Sequence, residues 1–120
     1  MTNILQLPQF SSSSAFAITN NADWRDGIGF GIDITGITFV ANMRAEVTGS
    51  EVFLNMTTDN GLLINGGIVG SLSFLVMASQ MALIDPGTYV MDIVATGDGA
   101  TVNLFPEGPA TVTVSEGVTR

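Results

Sequence analysis

Met81-Ala-Leu-Ile-Asp-Pro-Gly-Thr-Tyr-Val-Met-Asp-Ile-Val-Ala-Thr96 is the stretch that decides the fold, and Gly97-Asp-Gly99 follows it directly. The Asp85-Pro86-Gly87 triplet is a turn that launches a strand, because Pro fixes φ and Gly tolerates positive φ. From Thr88 to Thr96, Tyr89, Met91, Ile93 and Ala95 fall on one face. That is the period-2 signature of a strand with one buried side. Gly97-Asp98-Gly99 supplies a hairpin turn, and Ala110 to Val114 alternates apolar residues with Thr. The last third is therefore expected to be a three-stranded antiparallel meander.

Working back toward the N-terminus, the same pattern repeats. Gly36 to Ala45 places Phe39, Ala41, Met43 and Ala45 on one side, with Thr38, Asn42 and Arg44 on the other. Glu51 to Thr57 groups Val52, Leu54 and Met56, and Gly70 to Met77 groups Leu72, Phe74 and Val76. Asp59-Asn60-Gly61 and Asn65-Gly66-Gly67 are turns, with a short strand from Leu62 to Ile64 between them. Residues 78–84 lack both turn residues and alternation, and fit one helical turn crossing between sheets. Ala15 to Thr19 is the first core strand. Turn signals about every 8–12 residues predict an all-β, antiparallel, Ig-like β-sandwich of about 8 short strands. Residues 15–120 form this single domain, and residues 1–14 an N-terminal arm jointed by Ser11 to Ser14.

Composition excludes several functions. Lys is absent; Arg25, Arg44 and Arg120 face 11 acidic residues, for a net charge of −8 in a chain of 120 residues. Phosphate neutralisation needs clustered Lys and Arg, so nucleic acid is not an expected partner, and anionic membrane surfaces are disfavoured for the same reason. No apolar run reaches the length of a membrane span. Met1 to Ser14 has no basic n-region and a broken apolar stretch, so no secretory signal is expected. With no His and no Cys, ordinary zinc sites, Ser-His and Cys-His catalysis and a disulfide framework are ruled out.

The remaining candidates each carry a plain structural reading beside the functional one. Asp23 and Asp26 flank Trp24 like carboxylates beside an aromatic sugar platform; a solvated turn ahead of a buried Trp fits better. Asp59, Asp85 and Asp98 sit in turns and lack the dense oxygen-ligand loop that calcium needs. Gly27-Ile-Gly-Phe-Gly31 misses the spacing of a dinucleotide fingerprint. Asn55-Met56-Thr57 matches a glycosylation sequon but lies in a strand. Tyr89 is expected to be a core aromatic whose hydroxyl finds a backbone partner, and Asp92, across the strand, a partner for Arg44. Gly27, Gly29 and Gly31 alternate with Ile28, Phe30, Ile32 and Ile34. A bulged or bent core strand explains that pattern best, and an edge where a partner docks is the alternative. Ile4, Leu5, Leu7 and Phe10 are apolar yet precede the Ser joint, so the arm is expected to dock outside its own sandwich.

The motifs also occur in a telling order. Asp33-Ile-Thr-Gly36, Asn42-Met-Arg44, Leu72-Ser-Phe74, Ala82-Leu-Ile-Asp-Pro-Gly-Thr-Tyr-Val-Met-Asp92 and Glu107-Gly through Val118-Thr-Arg120 follow one another along the chain. From Ala15 to Arg120 this resembles a small β-sandwich family of phage and prophage genomes. That family is related to the N-terminal domain of baseplate upper proteins and to a sandwich domain of long tail fibre proteins. Its members show a D-L-T-G strand start, an x-I-R strand end, an L-P-G-x-Y-x-Y-D strand and a closing E-G-x-V-x-V. Here the stretch between Trp24 and Asp33 is shorter and glycine-rich, and the leader lies outside the pattern.

The resemblance implies a non-enzymatic virion part assembled in the host cytoplasm: an adaptor of tail, neck, baseplate or fibre. Its expected partners are other virion proteins and copies of itself, with no cofactor, metal or small-molecule ligand. A capsid decoration protein or a host-surface or glycan-binding adhesin module is the alternative. Melting in excess EDTA is expected to coincide with melting in calcium; a rise of many degrees with calcium would show that the turn aspartates hold a metal.

Overall fold

A computed structural model describes residues 7, 15–46, 49, 51–97, 99–106 and 108–118. The first strand, β1 (Ala15–Thr19), is followed by β2 (Gly27–Gly29), β3 (Thr38–Arg44), β4 (Leu54–Thr57), β5 (Leu63–Asn65) and β6 (Ser71–Phe74). A short helix α1 (Ala78–Met81) leads to β7 (Gly87–Gly97), β8 (Ala100–Asn103) and β9 (Ala110–Ser115). One sheet runs β1-β9-β7-β3-β4, with β8 also on β7; the other runs β2-β6-β5.

Alternation is kept where the sequence placed it. Phe39, Ala41 and Met43 on β3, Leu54 and Met56 on β4, and Leu72 and Phe74 on β6 are buried, as is Val76 just beyond β6. So are Tyr89, Met91, Ile93 and Ala95 on β7 and Ala110, Val112 and Val114 on β9. The two inner faces close one core, to which Trp24, Phe30, Ile34 and Leu104 contribute from loops. Each such side chain contributes roughly 1.5–3 kcal/mol by leaving water.

Four expectations need correction. The last third is no meander: β8 and β9 share one edge of β7 end to end and do not pair with each other. Strand β7 is long enough to offer Val94–Gly97 to β8 and Gly87–Met91 to β9. Strand β1 is parallel to β9, so the large sheet is mixed. The segment from Trp24 to Ile34 is strand only over Gly27–Gly29, because Gly31 turns left-handed at φ 73°. Val52 and Ala45 lie outside the core, beyond the ends of their strands. Nine strands are present among the described residues, and a 3₁₀ turn at Gly67–Val69 joins the predicted helical turn.

The topology is that of an immunoglobulin-like sandwich, and it carries that fold's corner device. The Tyr89 hydroxyl at the start of β7 donates to the Asp85 carbonyl at 2.6 Å, bracing the crossing from one sheet to the other. Two residues on, where antibody domains place a cysteine of the inter-sheet disulfide, stands the buried Met91. The chain has no cysteine, so no disulfide joins the sheets.

Burial raises the Tyr89 pKa above its ordinary 10.0, and the nearby Asp85 and Glu51 charges add to the effect. A raised folded value means that this contribution to stability is complete below the unfolded value and is lost as pH rises through the folded one. Replacing Tyr89 with Phe is expected to cost about 1 kcal/mol at neutral pH, from the lost hydrogen bond. The variant should also lose stability less steeply above about pH 10 in denaturant titrations.

Candidate functional site

Trp24 is 2 % exposed, stacked on Phe74 at 4.9 Å and met edge-on by Phe16 at 5.9 Å. Its backbone pairs with Val76, and its indole N–H donates to Asp26 Oδ2 at 2.6 Å. A ring so placed offers no face to a sugar; it is a core aromatic with a satisfied N–H. Asp23 is equally occupied. Its Oδ1 accepts from the Ala78 backbone N–H at 2.7 Å, capping the start of α1, and its Oδ2 pairs with Arg25 at 3.1 Å. The carboxylate beside Trp24 thus ties the β1–β2 turn to a helix 55 residues away.

The glycine stretch divides. Gly27 and Gly29 lie exposed on β2, paired with Ser73 and Ser71 of β6. A Cβ at Gly29 would meet nothing within 4 Å, and at Gly27 only the Leu72 carbonyl, at 3.8 Å. No bulge or internal crowding explains these two glycines, contrary to the core-strand reading. Gly31 has a backbone reason, its positive φ, and stands apart from them. Beside the Gly29 end of β2, the 3₁₀ turn that joins β5 to β6 exposes Ile68 by 82 % and Val69 by 81 %. This turn is anchored: Gly67 donates to Asn65 Oδ1 at 2.7 Å, Ile34 donates to the Gly67 carbonyl, and Phe30 to the Gly70 carbonyl. The Asn65 amide in turn donates to the Ile34 and Ile37 carbonyls. Composition alone does not single out Ile68 and Val69; their place between glycines in a turn is the one available signal.

Of the apolar arm residues, Leu7 is 5 % exposed and packs in the chain's own core, where burial stabilises it, so it is not a docking residue. Ile4, Leu5 and Phe10 lie outside the described residues, as do Asp98, Glu107 and Arg120.

The outer face of the large sheet carries a polar row that sequence reasoning missed. Asn42 of β3 is in register with Asn55 of β4 and Asp92 of β7. The Asn55 amide donates to Asn42 Oδ1 at 2.6 Å, and the Asn103 amide donates to Asp92 Oδ2 at 3.0 Å. Asn103 is itself fixed, accepting from the Phe105 N–H at 2.8 Å. Beside the row is a shallow cavity of about 250 Å³, lined by Asn42, Arg44, Asp92 and Asn103 with Pro106 and Pro109. Arg44 donates to the Gly49 carbonyl at 2.9 Å, and Asp92 is taken by Asn103 rather than by the Arg44 ion pair expected from sequence. Among the described residues no three His, Cys, Asp or Glu side chains converge on a point that would hold a metal. None of the described helices is long and apolar enough to cross a membrane. What these surfaces offer chemically is recognition: an apolar turn, a bare backbone face and a row of amides.

No family model and no curated relative matches this chain. Among solved structures, the extracellular domain of the voltage-gated sodium channel β4 subunit, described as a parallel homodimer, is 10 % identical at a TM-score of 0.44, over 89 % of this chain and 94 % of that one. Drosophila N-cadherin EC1-3 is 17 % identical at a TM-score of 0.41, over 92 % of this chain and 34 % of that one. Neither likeness bears on what this chain does.

The Ala78 hydrogen bond first, and Arg25 second, hold the Asp23 carboxyl below its ordinary value of 3.8. The Thr35 hydroxyl and backbone N–H do the same for Asp33. Depressed folded values mean that these contributions are complete above the unfolded value and are lost as pH falls through the folded one. Asp23→Ala is therefore expected to melt lower than wild type at about pH 7, with the gap closing by about pH 2. A gap that persists undiminished in acid would show that the carboxylate is not what the substitution removes.

Proposed function

We propose that this chain is a non-catalytic structural part of a phage or prophage particle, an adaptor sandwich of tail, neck, baseplate or fibre that docks on a neighbouring virion protein. The ordered motifs from Asp33 to Arg120 support the virion setting. The observation that carries the adaptor reading is the anchored turn holding Ile68 and Val69 more than 80 % exposed. An apolar pair held in place loses little conformational entropy on docking and gains the full transfer energy of both side chains. The adjoining positions Gly27, Gly29, Ser71 and Ser73 carry no large side chain, and exposed Ile64 of β5 stands beside Ser73, so another backbone can approach closely over the β2–β6 pair.

Purified particles are the test. The protein should be present in fixed stoichiometry by mass spectrometry. The double variant Ile68→Asp, Val69→Asp should melt within about 0.5 kcal/mol of wild type, since both positions are at the surface. It should nonetheless fall out of particles by at least about tenfold, which 1.4 kcal/mol of lost docking energy suffices to produce. Gly29→Leu should fold and be excluded likewise. Absence of the wild-type chain from particles would overturn the virion reading; normal incorporation of the folded variants would overturn the docking surface.

A further inference from the structure

We infer that the outer face of the β1-β9-β7-β3-β4 sheet is a self-association surface, through which two copies pair about a twofold axis with Asn42 and Asp92 bonded reciprocally. This deepens the adaptor reading by naming a second copy as one of its partners. The chain carries −8 overall, yet Asp92 and Arg44 are the only charged side chains in any of the nine strands. The face around them holds one of each sign, framed by Val40, Val90 and Val94 on β3 and β7 and by Thr111 and Thr113 on β9. Two like-charged copies repel one another everywhere except where charge has been removed, and depletion of charge marks the centre of interfaces.

The face is also self-complementary. Asn42 Oδ1 is spent on Asn55, which leaves the Asn42 amide hydrogens as donors. Asp92 Oδ2 is spent on Asn103, which leaves Oδ1 as an acceptor. The two residues are register partners on neighbouring strands, about 5 Å apart at Cα. A twofold axis between them lets each Asn42 donate to the Asp92 of the other copy, the reciprocity that an isologous interface requires.

Strand addition, the competing mode, is hindered at the edge nearest this row. Strand β4 ends the sheet, and an open edge ordinarily invites strand addition. Here Asn60 fills it: its Oδ1 accepts from the Thr57 N–H at 3.0 Å, and its Nδ2 donates to the Asn55 carbonyl at 3.0 Å. One side-chain amide thus occupies two of the backbone groups along this edge. The face is left.

Five strands at 4.8 Å spacing and about seven residues at 3.3 Å span about 550 Å². That is below the ~800 Å² per partner of a standard stable interface, so a weak dimer is expected, with Kd in the range of tens of micromolar or above. Sedimentation of the full chain from about 10 μM to 1 mM should show a concentration-dependent rise toward dimer. Added salt should strengthen it by screening the long-range repulsion. Asn42→Asp removes the donor and sets like charges across the axis, and should weaken association by at least about tenfold. The double exchange Asn42→Asp, Asp92→Asn restores a donor–acceptor pair while keeping the acceptors for Asn55 and Asn103, and should restore association. Ile68→Asp, Val69→Asp should dimerise as wild type does. A wild-type chain that stays monomeric to 1 mM, an Asn42→Asp variant that pairs normally, or an exchange that fails to rescue a folded protein would each overturn the inference. None of these outcomes depends on whether the chain is found in particles.

Discussion

Strand β7 is the constraint on which the sandwich depends. It pairs with β3 along one edge and with β9 and β8 along the other, so three strands take their register from it. Its inward residues Tyr89, Met91, Ile93 and Ala95 run through the core, and its first turn is pinned by the tyrosine corner. A one-residue slip of β7 would turn that whole row to solvent and carry Asp92 into the core. Without a disulfide, this row does by volume what a covalent link does elsewhere. The core therefore depends on close packing against the opposite sheet, where Leu72 and Phe74 stand.

That dependence explains what was legible in the sequence. The inward faces of β3, β4, β6, β7 and β9 follow from period-2 alternation, and the turns at Asp59-Asn60-Gly61 and Asn65-Gly66-Gly67 from their residue types. The unread features are those set by partners distant in sequence. The parallel pairing of β1 with β9 leaves no mark on either strand, because alternation is the same in both directions. The capping of α1 by Asp23 joins segments that have no sequence relation. Asn20 does the same at the other side of α1, donating to the Ile84 carbonyl and accepting from the Gly117 N–H. Leu7 reads as outward because a Ser joint follows it, whereas the fold packs it in the chain's own core.

The candidate surfaces were legible in a different measure. Gly27 and Gly29 stood out in the sequence, but only the open space beside a Cβ at Gly29 separates a docking face from a crowded one. The polar row was invisible because Asn42, Asn55, Asp92 and Asn103 come from four strands and converge only through register. Each of them looks like an ordinary outward polar residue when read along its own strand. Arg44 and Asp92 were correctly placed on one face, yet strand register sets Asp92 opposite Asn42, with Asn103 bonded to it.

The two outer faces of this sandwich solve opposite problems under one charge distribution. Keeping every acidic residue except Asp92 out of the strands keeps copies apart at long range and leaves both sheets open to short-range contact. A face with a central, directional amide–carboxylate pair fixes one relative orientation, since a rotated partner leaves Asp92 without its donor. A face of Gly, Ser and an apolar turn fixes little direction but admits close approach. Asn60 engages two backbone groups of the β4 edge and so hinders strand addition there. In the proposed adaptor, twofold pairing through the first face would close assembly in one direction, and whatever seats the Ile68–Val69 turn would extend it in the other.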